Sequence, residues 1–222
     1  MIDKNKTDKR LGKEVHYMLT KLGVETPMAS HVTDDYEKME EIREHVTSIL
    51  LALGLDLTDD SLCETPKRIA KMYVWEVFAG LNYENFPIVT TIENKMQYDT
   101  MLLERHIAVK SFCEHHFVPM MGEAFVAYIP NRKVIGLSKI NRIVEFFSRR
   151  PQVQERLTEQ IFHTLCHILE TDNVAVIIKA EHSCVKLRGA EDVNSDTLTT
   201  RLGGAFMGNQ KLRDELYQAI KL

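Results

Sequence analysis

Two short stretches concentrate residue types that bind metals and move protons: Cys113-Glu114-His115-His116 and His182-Ser183-Cys184. A Cys and a His this close can grip one metal ion from a tight turn, as zinc sites commonly do. Two ligands are too few, because a catalytic zinc usually has three protein ligands and an open position. The second stretch supplies the best third ligand. The expected set is therefore Cys113, His116 and Cys184 around zinc, with water in the fourth position. Such a site lowers the pKa of the water to about 7 and makes hydroxide available at neutral pH. Cys113 and Cys184 taken alone also read as buried thiols, with a disulfide the weaker alternative, and His115 and His182 as structural histidines. Cys63 and Cys166 fall on apolar helical faces and read as core. His163 and His167 have i, i+4 spacing but no third ligand near in sequence, and read as a solvated face.

A local basic excess lies between the two stretches. Residues 131–156 hold Arg132, Lys133, Lys139, Arg142, Arg149, Arg150 and Arg156 against Glu145 and Glu155, a net of +5 in a chain of −4. Lys186 and Arg188 follow soon after Cys184. Positive charge beside a zinc site fits an anionic substrate, and phosphate suits Arg and Lys well. Ser138 opens a short helix, where backbone N–H groups hold anions. The bland alternative is a solvated face balanced elsewhere.

The elements that must position these residues follow from periodicity. Leu11, Val15, Met18, Leu19 and Leu22 mark a helix stopped by Gly23, after a polar, frayed stretch over residues 1–10. Met39, Ile42, Val46, Ile49, Leu50 and Leu53 mark a second, closed by Gly54. Thr65-Pro66 reads as N-cap and first-turn proline of a third that stops near Gly80. Strands are expected over residues 106–112, 124–129 (after a turn at Gly122), 174–180, 185–188 and 197–202. The apolar run at 174–180 reads as buried on both faces. A short helix carries Ile140, Ile143, Val144 and Phe147, Pro151 ends it, and a longer one carries Val153, Leu157, Ile161, Leu165 and Ile168. A last helix covers residues 209–221. The class is α+β: a helical N-terminal region over residues 1–95, then a sheet-bearing domain over residues 96–222.

Composition narrows the function. The chain has 222 residues, 44% hydrophobic and 27% charged, an ordinary globular profile. A net charge of −4 argues against a nucleic-acid binder. The longest strongly apolar run, residues 174–178, is far short of a membrane span. The first residues have no secretory pattern, so a cytoplasmic protein with free or metal-bound cysteines is expected.

Three stretches resemble the GTP cyclohydrolase I family. They are Ser111-Phe-Cys-Glu-His-His-Phe117 with Val126-Ala-Tyr-Ile-Pro130, Gly136-Leu-Ser-Lys-Ile-Asn-Arg142 running on to Arg150-Pro-Gln-Val-Gln-Glu-Arg-Leu-Thr158, and His182-Ser-Cys-Val-Lys-Leu-Arg-Gly189 with Leu202-Gly203-Gly204. Upstream, Glu64-Thr-Pro-Lys-Arg-Ile-Ala-Lys-Met-Tyr73 is also similar, and the likeness covers residues 35–220. It implies conversion of GTP and water to 7,8-dihydroneopterin triphosphate and formate, with folate synthesis as the expected destination. It implies zinc on Cys113, His116 and Cys184, and proton transfer by His115 and His182. Gln154 and Glu155 fall where the family recognises guanine, Ser138, Lys139, Arg142 and Arg188 where it holds the triphosphate, and Arg68 on a further phosphate-binding arginine. The implied fold is the tunnelling fold, an antiparallel sheet with two helices on one face, joined between subunits into a barrel. The implied assembly is a homodecamer of two pentamers with active sites at subunit interfaces. Position 106 is His, where the family often carries an acidic residue or Asn; seven residues before Cys113, it should not disturb the site. The competing readings are a sister tunnelling-fold enzyme on a related purine or pterin, and a zinc-stabilised nucleotide-binding module without chemistry.

Overall fold

The computed structural model describes residues 3–29 and 33–221. Helix α1 (Lys9–Lys21) starts where the Asp8 carboxylate accepts from the Arg10 and Leu11 N–H groups, and α2 (Asp35–Ala52) is capped in the same way by Asp34. Gly23 and Gly54, both at positive φ, terminate them as expected. Helix α3 (Thr65–Met72) has Pro66 in its first turn, but its N-cap is Glu64 and not Thr65. The chain then passes through a single π turn (Tyr73–Val77) and two 3-10 turns. The expected fraying of the N-terminus is corrected from Asp3 onward. Lys4–Lys6 form a 3-10 turn, Lys4 Nζ donates to Asn85 Oδ1 at 2.7 Å, and Thr7 bridges Pro87. Residues 1 and 2 lie outside the described residues.

Strand β1 (Thr91–Glu93) pairs only with β4 (Lys133–Ile135). The main sheet runs β5-β2-β3-β6-β7, built from β2 (Leu102–Cys113), β3 (Pro119–Tyr128), β5 (Pro151–Gln152), β6 (Val174–His182) and β7 (Thr197–Leu202). All its pairings are antiparallel except β2 with β5. Helices α4 (Leu137–Ser148) and α5 (Gln154–Leu169) cover one face. Their Ile140, Ile143, Val144, Phe147, Leu157, Ile161 and Leu165 share one buried cluster with Val109, Val126, Val176 and Ile178 of the strands. Val15 and Leu19 of α1 join that cluster, so the N-terminal helix is part of the same core. The opposite face buries Phe125, Ala175 and Ile177 against Phe206 of α7 (Gly204–Gly208) and Leu216 and Ile220 of α8 (Gln210–Ile220). Burial on both faces explains the continuous apolar run of β6.

Three expectations are corrected. Gly122 is inside β3 and not in a turn; a Cβ there would meet Lys179 O at 2.1 Å, so the closeness of β3 and β6 demands glycine. Residues 185–188 are not a strand: Ser183–Lys186 form a short helix, α6, because β7 pairs only with residues 175–180 of β6 and leaves the chain beyond His182 without a partner there. Cys63 is exposed. It sits in a turn held by Cys63 N to Asp59 O, where Asp59 also captures the Ser61 N–H and hydroxyl. Cys166 is half-buried against the core, as read. No helix among the described residues is long and apolar enough to cross a membrane.

Candidate active site

The sheet brings the two motif stretches together across one intervening strand. β2 ends at Cys113, and a tight turn closes with Phe117 N donating to Cys113 O and Cys113 N to Val118 O. β3 then begins at Pro119, and its Met120 pairs with His182 at the end of β6. The ends of β2 and β6 thus flank the start of β3. Cys113 Sγ, a ring nitrogen of His116 and Cys184 Sγ all lie within 4.8 Å of one another. His115 Nδ1 is as near to Cys113 Sγ (3.9 Å) as His116 Nδ1 is (3.8 Å), but His115 is outside the mutual cluster that includes Cys184. Two thiols and an imidazole suit a borderline-soft divalent ion. Burial pushes the Cys184 thiol up, and the adjoining Cys113 thiol adds to the shift. A bound cation reverses both causes, since it stabilises thiolates.

The first turn of α5 completes the centre. β5 lies beside the end of β2, with Cys113 paired to Gln152, so the helix begins next to the cysteine. Gln154 is 1% exposed, and its Oε1 is 2.8 Å from His182 Nε2. Glu155 is exposed and close enough to His182 to raise its pKa; burial outweighs this and lowers the imidazole below its ordinary value. Arg156 Nη1 donates to Glu114 Oε2 at 2.5 Å, and Glu114 Oε1 is 3.9 Å from His115 Nε2. The His115 side chain is 65% exposed, open to a ligand. Arg188 Nη1 donates to His116 Nε2 at 2.7 Å, which puts one basic residue against the cluster.

The remaining phosphate candidates are not brought there. Ser138, Lys139 and Arg142 lie in the first half of α4, whereas the chain after its C-terminus leads through β5 to Cys113. Twelve residues of α-helix separate the two ends of α4, a length of roughly 18 Å. Arg68 is exposed on α3. The basic excess is also smaller than its count. Lys133 pairs with Glu170, Arg149 with Glu145, Arg150 with Glu25 and Arg156 with Glu114.

Sequence reasoning missed the Glu114–Arg156 pair and a buried network around Glu25. The Glu25 carboxylate accepts from Arg150 Nη1 at 2.9 Å and from Thr26 N at 2.7 Å, lies 3.0 Å from His16 Nδ1, and accepts from the Tyr83 hydroxyl. Arg150 is fully buried with its guanidinium 4.7–4.8 Å from the ring centres of Tyr83, Phe146 and Phe147. Desolvation pushes the Tyr83 phenol well above its ordinary range. The network holds the turn from α4 into β5, and with it the start of α5. A Glu 125 residues before its Arg leaves no local pattern to read.

Comparison with known proteins agrees with this geometry. The family model described as GTP cyclohydrolase I matches residues 42–221. Proteins named GTP cyclohydrolase 1 from Serratia proteamaculans and Pectobacterium carotovorum are each 56% identical over 207 residues, covering 93% of this chain and 94% of the relative. One from Yersinia enterocolitica is 55% identical over the same span. With a match across most of its length and a Cys-His-Cys cluster at the meeting strand ends, the chain belongs to the GTP cyclohydrolase I family.

Proposed function

We propose that the protein opens the imidazole ring of GTP, releases formate and forms 7,8-dihydroneopterin triphosphate. The observation that carries this is the Cys113, His116 and Cys184 cluster with His115, His182 and Glu155 gathered around it. The donor set fits zinc, which when bound supplies an activated water at neutral pH. Glu155, exposed at the start of α5, accepts from N1–H and the 2-amino group of guanine; adenine offers neither. Gln154 stands beside it, at a helix start whose first N–H groups have no partner within the helix. His115 gives a proton to N7 as water adds to C8, the carbon between two nitrogens. The C8–N9 bond breaks, the formyl group is hydrolysed and formate leaves. The ribose then opens, rearranges and closes on the freed amine, with His182 moving the protons of these later steps.

Arg188, Ser138, Lys139, Arg142 and Arg68 hold the triphosphate. The placement of Ser138 and Lys139 in the first turn of α4, at the end away from β5 and Cys113, supports an active site shared between subunits. Sheets joined edge to edge into a barrel, two pentamers to a homodecamer, would bring them together. Residues 1–95 then act as the assembly and packing region and residues 96–222 as the catalytic domain, in a cytoplasmic enzyme that feeds folate synthesis.

The test is incubation of purified, zinc-loaded protein with GTP, guanosine and ATP. Formate and an oxidisable fluorescent pterin are expected from GTP, with kcat/KM for guanosine and ATP lower by orders of magnitude, since each charged hydrogen bond is worth roughly 1.5–3 kcal/mol. Equal efficiency on GTP and guanosine would point instead to a sister enzyme on an unphosphorylated substrate.

A further inference from the structure

The Gln154 side chain has little left to offer a substrate. Its Nε2 lies 2.9 Å from Ile178 O, 2.9 Å from Thr197 O and 3.1 Å from Thr199 Oγ1. Backbone carbonyls only accept, so the amide NH2 must face them, and the orientation of the group is settled by chemistry. Oε1 is therefore the atom 2.8 Å from His182 Nε2. An amide oxygen also only accepts, so Nε2 carries the hydrogen of the neutral imidazole and Nδ1 keeps a free lone pair.

A hydroxyl relay holds the amide in turn. Thr158 Oγ1 donates to Gln154 O at 2.8 Å and is 2.7 Å from Thr199 Oγ1. With its own hydrogen committed, Thr158 must accept from Thr199, which leaves the Thr199 lone pairs facing the Gln154 amide. The relay ties β6, β7 and the first turn of α5 to one histidine.

We propose that Gln154 is a positioning residue that fixes the tautomer of His182, presenting Nδ1 as a proton acceptor, and that its side chain does not read the guanine base. The assignment rests on His182 acting in the proton transfers that follow ring opening. It gives buried Thr158 and half-buried Thr199, which hydrogen-bond to Gln154, a part in the same device. An imidazole in the wrong tautomer cannot take a proton where the reaction delivers it, and such errors are costly even when geometry is kept.

The test uses the zinc-loaded, full-length enzyme and the variants Gln154→Met, His182→Ala and the double variant, after wild type has been shown to release formate from GTP. Absence of formate from wild type would remove the functional reading itself, whatever the variants do. Gln154→Met preserves side-chain length but neither accepts from His182 nor donates to the carbonyls. The expected result is bound zinc, KM for GTP within about 3-fold of wild type, and kcat lower by about 10²-fold, in the range of a lost acid–base catalyst. Gln154→Met should accumulate the same intermediate as His182→Ala, and the double variant should be no slower than His182→Ala alone. A raised KM with loss of the preference for GTP over inosine triphosphate, which lacks the 2-amino group, would return the side chain to base recognition. Additive losses in the double variant would reduce Gln154 to a packing role. Thr199→Val, which keeps shape and removes one relay hydroxyl, guards against misfolding of Gln154→Met: a several-fold fall in kcat at constant KM is expected, and an unchanged kcat would overturn the proposal.

Discussion

The two ends of α4 pose opposite problems. At its C-terminal end the sheet edge, the Glu25–Arg150 network and β5 bring Cys113, His116, Cys184, His182 and Glu155 into one centre within a single chain. At its N-terminal end Ser138 and Lys139 lie in the first turn of α4, and Arg142, one turn on, shares a cavity with the N-terminal segment. Asp3, Lys6 and Arg142 line one small cavity of about 210 Å³ with Glu145 and Arg149. Chemistry that must be aligned to within tenths of an ångström is built from adjacent strand ends and one helix start. Charge that only has to neutralise a flexible triphosphate can be borrowed across an interface.

The largest effect tests the self-sufficient end. Cys184→Ser removes one of the soft ligands and leaves a two-ligand site. Zinc per chain should fall towards zero and GTP turnover should drop by more than about 10³-fold, because a lost zinc removes the activated water. Metal analysis and formate release measure both. Full zinc with full rate would take Cys184 out of the site.

The next test asks whether the other end is borrowed from a neighbouring subunit. His115→Ala and Arg142→Ala should each be nearly inactive, with losses of about 10²–10⁴-fold expected for the acid–base group. If one substrate touches His115 of one subunit and Arg142 of another, dissociating and reassembling the two variants together creates some sites with neither defect. Activity of the mixture should then exceed that of either parent by at least about 10-fold. Mixed oligomers that stay as inactive as the parents would place both residues in one subunit's site.

A third test strikes the link between the ends. Glu25→Ala leaves the fully buried Arg150 guanidinium without its carboxylate, and losing one partner of a buried pair costs about 3–5 kcal/mol. Denaturant titration should show a stability loss of that order. Zinc affinity should fall too, because the turn that Arg150 anchors carries Gln152 to Cys113. A stable variant with unaltered zinc binding would make the network incidental to the metal end.

How far the sequence could be read follows the same division. Helices α1, α2, α4 and α5 were legible because their apolar residues recur with helical period and Gly or Pro marks at least one end of each. β6 was legible as an apolar run. The clustering of Cys113, His116 and Cys184 was legible because Cys and His at strand ends carry their chemistry in their type. What escaped were roles set by a partner far along the chain. Gly122 looked like a turn until Lys179 O was seen to fill its Cβ position. Residues 185–188 have strand composition and no strand to pair with. The basic segment read as a phosphate surface, yet Lys133, Arg149, Arg150 and Arg156 are engaged by Glu170, Glu145, Glu25 and Glu114. Charge counts along a chain cannot report pairing in space.

The smallest expected effect sits between the two ends, on β2. His106 has φ 57°, at the register shift between Glu104 and Ile107 where β2 bulges against β3. The bulge reverses no chemistry, but it lets both halves of the strand point their apolar residues inward. Leu102 and Leu103 pair near Tyr128, whose hydroxyl accepts from Ile135 N close to the start of α4; Ile107 and Val109 lead to Cys113. The requirement at position 106 is therefore left-handed backbone, which Asn adopts readily and β-branched residues do not. The 2.7 Å contact of His106 Nδ1 with Glu123 is solvent-exposed and adds little. His106→Asn should leave stability within about 0.5 kcal/mol and zinc and kcat unchanged. His106→Val should cost about 1–2 kcal/mol for the strained backbone, again with normal zinc once folded. If His106→Asn lost zinc or slowed turnover, the imidazole itself would have a part in the chemistry, and the two ends of the molecule would be coupled through a residue that the geometry keeps outside both.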